Sequence, residues 1–105
     1  MRAGQIRDLM KEILSPNSVA IIGASNDEAK LGGMLLKNMI NAGFKGKLYP
    51  INPKGGEIMG LKAYPSVTDV GEPIDLAVVA VKNNLVAGEI RKMKEAGIKY
   101  ATILT

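Results

Sequence analysis

Apolar residues follow two periods along this chain. Ile6, Leu9, Met10 and Ile13 fall at i, i+3, i+4 and i+7, the spacing of an amphipathic helix, which Ser15-Pro16 ends. The period then changes. Ser18 to Ile22 (SVAII) is a β-branched run without alternation, as expected of a strand covered on both faces. From Gly32 to about Ala42 the helical period returns, with Leu35, Leu36, Met39 and Ile40 on a broad apolar face and Gly43 as the stop. Lys47 to Ile51 (KLYPI) reads as the second strand, and Pro50 places its end near an edge or a bulge. Asn52-Pro53-Lys54-Gly55-Gly56 is a loop, Leu61 to Ala63 a short extended piece, and Pro65 to Val70 one helical turn or two. Ile74 to Val81 (IDLAVVAV) is the next strand. Val86, Ile90 and Met93 mark a helix with Lys92, Lys94 and Glu95 toward water, ended by Gly97. Ile98 to Leu104 (IKYATIL) is the last strand.

Apolar strands that alternate with amphipathic helices predict an α/β domain. The expected architecture is a Rossmann-like parallel sheet of about five strands, with helices on both faces and the N-terminal helix in front. With 105 residues, a single domain over 1–105 is expected, its first 15 residues forming that helix. In such a sheet, ligands bind beyond the carboxyl ends of the strands, at the switch point beside the first one.

Composition narrows the chemistry. The chain has no cysteine and no histidine, which removes thiolate nucleophiles, Cys-type zinc sites and the commonest general base. Net charge is +4, a mild bias toward anionic ligands and well short of a nucleic-acid signature. The sequence has neither a run long enough for a transmembrane helix nor a signal-peptide core. A cytoplasmic location, with no membrane and no nucleic-acid partner, is the expectation by elimination.

The switch point is where the candidate chemistry collects. Gly23 ends the first strand, and Gly32-Gly33 open the next helix. Their missing side chains either let a ligand reach the backbone or permit close packing of strand tip on helix. The spacing is not G-x-G-x-x-G, which counts against the usual dinucleotide site. An NAD site also wants an acid at the end of the second strand; this chain offers Asn52-Pro53-Lys54 there. A cation in that place suits a phosphorylated ribose, whether the 2′-phosphate of NADP or the 3′-phosphate of coenzyme A. Lys30 precedes the helix-opening glycines, where it either reaches phosphate or is a free surface lysine. Ser25 and Asn26 either bind phosphate or shape the loop. Lys82-Asn83-Asn84 follow the fourth strand and would line the opposite wall, with Asn83 or Asn84 expected to cap the following helix. Asp75 is expected to be structural, and Asp69 and Glu72 to be solvated loop acids. No carboxylate pair has a setting for acid–base work.

The segments SVAIIGAS, KLGG, INPKGGEIMGLKAYPSV and PIDLAVVAV together resemble the CoA-binding domain of NDP-forming acyl-CoA synthetases. That family includes ADP-forming acetate–CoA ligases and is akin to the α subunit of succinyl-CoA synthetase. The resemblance runs from about Leu9 to Thr105. It implies a domain that grips the ADP part of CoA. By analogy Gly23, Ala24, Ser25 and Asn26 would approach the phosphates or adenosine, and Lys54, between Pro53 and Gly55, would contact phosphate. Ala80 and Val81 would flank the adenine or pantetheine. Relatives often carry a proline where this chain has Lys82. The family's phosphorylated histidine lies on a later domain, so this chain is expected to be part of a longer one and not catalytic alone.

Two other readings stand beside that one. One is a stand-alone CoA-binding module, regulatory or buffering; the other is an NADP-binding oxidoreductase fragment. Other synthetase domains or subunits are the partners the first reading expects, and a homo-oligomer is compatible with the sequence. Neither the acyl group nor an ADP or GDP preference is legible. The glycine argument further predicts that Gly23→Val abolishes binding and leaves a folded domain.

Overall fold

A computed structural model describes residues 16–104; the helix expected over 1–15 lies outside the described residues. The sequence builds β1 (Ser18–Ile22), α1 (Leu31–Asn41), β2 (Lys47–Ile51), β3 (Glu57–Ile58), β4 (Leu61–Lys62), a 3-10 turn at Val67–Asp69, β5 (Leu76–Val79), α2 (Asn83–Glu95) and β6 (Tyr100–Ile103). Four strands make one sheet in the order β2-β1-β5-β6, and every pairing in it is parallel. The chain leaves β1 for β2 on one side, then crosses back to β5 on the other. The switch point is therefore at the carboxyl ends of β1 and β5.

β1 is the axis of the core. Val19, Ala20 and Ile21 have no exposed surface, and Ile22 has 1%. Alternation divides its side chains between two layers. Val19 and Ile21 pack with Leu36 of α1, and with Ile58 and Ala63 beneath the hairpin. Ala20 and Ile22 pack with Met93 of α2, Val67 and Val70. Burying a side chain such as Ile21 or Leu36 contributes about 1.5–3 kcal/mol. A strand covered on both faces must be apolar throughout, which explains the absence of alternation in SVAII.

Both helices end as their glycines predict. The Gly43 N–H donates to Ile40 and the Phe44 N–H to Met39; the Gly97 N–H donates to Lys94 and the Ile98 N–H to Met93. Both are the paired closure in which a left-handed residue follows the last turn. Phe44 and Ile98 then pack onto opposite core layers. Pro50 lies within β2, an edge strand of the main sheet, as expected of a residue with no N–H to give.

The main sheet has four strands where about five were expected. The extended piece after Gly60 pairs back on Glu57–Ile58 as a two-stranded antiparallel hairpin. Its backbone joins the main sheet through a bridge between Ile51 and Tyr64, with the Tyr64 N–H donating to Pro50 and the Asn52 N–H donating to Tyr64. No helix separates it from β2, and a full parallel neighbour needs a crossover of that kind. Two strands are also shorter than their apolar runs: Ile74 to Val81 yields Leu76–Val79, and Ile98 to Leu104 yields Tyr100–Ile103.

Candidate functional site at the carboxyl rim

Three loops meet at the carboxyl ends of the strands. The loop after β1 touches the loop after β5 at Gly23, where a Cβ would collide with the Ala80 carbonyl and lie 3.1 Å from Val81 Cγ1. Gly23 has φ +96°, a conformation that side chains disfavour. Its N–H and that of Ala24 both donate to the Ile51 carbonyl, at 3.0 and 3.2 Å. A Cβ on Gly32 would strike the Gly23 carbonyl, and one on Gly33 the Asp27 carbonyl. Of the two readings of these glycines, close packing accounts for their geometry: each missing side chain makes room for the protein's own backbone. The expectation that Gly23→Val leaves a folded domain is therefore corrected.

The loop after β2 is tied to the loop after β1 by one side chain. Asn52 Nδ2 donates to the Ala24 carbonyl at 2.9 Å, and Asn52 Oδ1 accepts from the Lys54 N–H at 2.9 Å. Ser25 and Lys54 thus stand on adjoining loops. Asn26 reaches the hairpin instead: its Oδ1 accepts from the Met59 N–H at 2.9 Å, and its Nδ2 lies 3.5 Å from the Glu57 carbonyl. Ser25 Oγ accepts from the Asp27 N–H at 3.0 Å, the turn-forming alternative to phosphate binding. Of these ties only the Asn52–Lys54 bond had a sequence signal, in Asn-Pro-Lys-Gly-Gly, since asparagine before a turn bonds its own backbone two residues on. The role of the hairpin had none.

Two helices start at this rim, and both start uncapped. Lys30 holds the cap position of α1 and Lys82 that of α2; neither helix receives a side-chain cap bond or has an acid in its first turn. Asn83 and Asn84 lie inside α2, so neither caps it as expected. The extended backbone at Lys82 takes the cap position, and lysine cannot accept a bond from an N–H. Free N–H groups at a helix start favour an anion, and so does an ammonium at each cap. Lys30, Pro53, Lys54 and Lys82 are all exposed. Asp27, Glu28 and Glu57 are interleaved with these cations, so the attraction is local to the helix starts and Lys54.

A hollow of about 800 Å³ lies at the opposite end of the sheet, lined by residues such as Asn17, Thr68, Glu72, Asp75 and Tyr100. Both carboxylates in its lining, Asp75 and Glu72, are bonded within the protein. The Asn17 N–H donates to Asp75 Oδ2 at 2.8 Å, and Ser18 Oγ accepts from the Asp75 N–H at 2.9 Å, so Asp75 is structural as expected. Glu72 is not a free loop acid: its Oε2 accepts from Lys47 Nζ at 2.8 Å and from the Tyr49 hydroxyl at 3.0 Å. Those two bonds, the Lys47 bond foremost, hold its carboxyl below the usual range. Among the described residues no group of three or more Asp, Glu, His or Cys could hold a metal ion, and no helix is long and apolar enough to cross a membrane.

Residues 17–105 match the family described as the CoA binding domain. The chain is 49% identical over 96 residues to the ADP-forming acetate–CoA ligase of Methanocaldococcus jannaschii, covering 91% of this chain and 13% of the ligase. A dinucleotide-forming acetyl-coenzyme A synthetase 1 of Ca. Korarchaeum cryptofilum, solved with phosphate and ADP, superposes with a TM-score of 0.87 at 44% identity. That match covers 91% of this chain and 21% of the synthetase. A conserved hypothetical protein of Pyrococcus furiosus superposes with a TM-score of 0.77 at 33% identity, covering 84% of this chain and 74% of that protein. The chain thus spans a small part of the ligases and most of a short protein.

Proposed function

This chain belongs to the CoA binding domain family, and from that premise we propose that its carboxyl rim holds the phosphorylated adenosine of coenzyme A. The observation that carries the reading is the convergence, at one switch point, of two uncapped helix starts with the loop that presents Lys54. The helix starts suit the diphosphate, whose charge they meet with backbone N–H groups. Lys54 suits the 3′-phosphate. With no acid at the end of β2, ribose hydroxyls lack the partner that an NAD site would give them. Gly23, Ala80 and Val81, each half-buried, would form the floor between these points, with Ala24 buried beneath it.

Within a longer ADP-forming acyl-CoA synthetase the domain supplies affinity and orientation. There acid, CoA and ATP interconvert with acyl-CoA, ADP and phosphate, and the thiol of CoA is the reacting group. This chain has no histidine to carry phosphate. Its role is to bind and aim CoA, in partnership with other synthetase domains or subunits, in the cytoplasm. The match to a short Pyrococcus protein favours a second reading, in which the same grip serves a stand-alone CoA-binding module.

Calorimetric titration of the chain with CoA, dephospho-CoA, NADP and NAD tests the proposal. The expected order has CoA first, dephospho-CoA weaker and NAD weakest. NADP binding as tightly as CoA would turn the reading toward an oxidoreductase fragment.

A further inference from the structure

Every polar atom of Asn52 makes a bond within the protein. Its N–H donates to Tyr64 at 2.9 Å and its carbonyl accepts from the Gly55 N–H at 2.8 Å. Its side-chain amide donates to Ala24 and accepts from Lys54, each at 2.9 Å. The two side-chain bonds run to the two loops that flank the rim. One fixes the turn that carries Lys54; the other fixes that turn against the glycine loop of β1. We infer that Asn52 is a positioning residue: it sets the span between the Lys54 ammonium and the helix starts, and so sets preference for a 3′-phosphorylated adenosine over an unphosphorylated one.

The inference rests on the CoA reading above but assigns Asn52 a role that ligand contact would not. Both polar atoms of its side chain are already held by the protein: the oxygen by the Lys54 N–H, and the nitrogen, through one of its two N–H groups, by the Ala24 carbonyl. Without it, the Asn52–Gly56 loop keeps the Gly55 N–H bond to the Asn52 carbonyl and loses its side-chain tie to the loop after β1. The lysine then samples more positions, and a charge-assisted bond that depends on geometry weakens. The rest of the adenosine site, built on Gly23, Ala80 and the helix starts, stays in place.

The test is a double-mutant cycle on the whole chain, with Asn52→Ala, Lys54→Ala and the double variant titrated with CoA and dephospho-CoA. Circular dichroism and the unfolding midpoint report folding. Asn52→Ala is expected to weaken CoA binding about tenfold and dephospho-CoA binding by less than about threefold, so the ratio between them collapses. The double variant should show the same ratio as Lys54→Ala alone, because Asn52 acts through Lys54. Equal losses for both ligands, or losses that add in the double variant, would overturn the positioning role. A second measurement needs no variant: the Lys54 amide in the ligand-free wild-type chain should exchange with solvent slowly. Exchange at the rate of a free loop amide would also overturn it. If the wild-type chain binds no CoA, the functional reading falls and this inference with it. Should it bind CoA while a folded Asn52→Ala matches it, the inference alone falls.

Discussion

The two ends of the sheet treat their polar groups differently. At the amino end, Asp75 accepts from Asn17, Ser18 accepts from Asp75, and Glu72 takes both Lys47 and Tyr49. At the carboxyl end, α1 and α2 begin without a side-chain cap and without an acid in the first turn. A hollow of about 800 Å³ makes the amino end look like a binding site. Free hydrogen-bonding capacity selects the other end. A donor already paired inside the protein gains little from a ligand, whereas an unpaired helix start gains a partner without losing one. In a parallel sheet every strand delivers its carboxyl end to the same rim, so the loops and helix starts that follow converge there.

The largest expected effect breaks the comparison by steric means at both ends. Gly23→Val adds a side chain at φ +96° against the Ala80 carbonyl. Left-handed strain of about 1–2 kcal/mol and overpacking of about 1–3 kcal/mol should lower the unfolding midpoint sharply and remove CoA binding together with the fold. Gly46→Ala places a Cβ against the Asn17 carbonyl at the amino end. It should lower stability as well, yet leave the CoA affinity of the folded fraction intact. Chemical denaturation followed by titration below the transition separates the two. If Gly46→Ala weakened CoA as much as Gly23→Val, the ends would not be independent.

A smaller effect sharpens the assignment at the rim. Lys54→Ala should weaken CoA by about 1–2 kcal/mol, the worth of one charge-assisted bond, and dephospho-CoA by less. Equal losses measured by calorimetry would refute a phosphate contact.

These contrasts also mark how far the sequence could be read. SVAII gave a doubly covered strand because burial on both faces forbids polar residues, and Gly43 and Gly97 marked helix ends because a left-handed closure demands them. Pro50 fell on an edge for lack of a donor. The rim itself was legible as a place, since alternating strands and helices fix the topology and the topology fixes the switch point. The use of its residues was not. Gly23, Gly32 and Gly33 look alike whether a ligand or a carbonyl fills the space beside them. Asn26 and Asn52 bond across 33 and 28 residues, distances at which no local pattern exists. Glu72 lies 25 residues from Lys47, and only the folded sheet brings them together.

The smallest effect tests whether the amino end is a closed system. Lys47 holds the Glu72 carboxyl below the ordinary value of 4.5, with Tyr49 as the second cause. A carboxyl depressed on folding adds stability above its unfolded pKa and loses it as pH falls through the folded value. The gain is therefore full at neutral pH and fades below about 4.5. Glu72 is half exposed, so the gain is small. Glu72→Gln removes the charge but keeps an acceptor for Lys47 and Tyr49. Its unfolding midpoint should lie slightly below wild type at pH 7 and converge with it in acid. The wild-type gap should also shrink in high salt, because an exposed pair is screened. CoA affinity at pH 7 should not change, since the pair meets the rim through no shared bond. A change in that affinity would mean that charge at the amino end reaches across the β-strands, and the division between a self-satisfied end and a ligand-ready one would be lost.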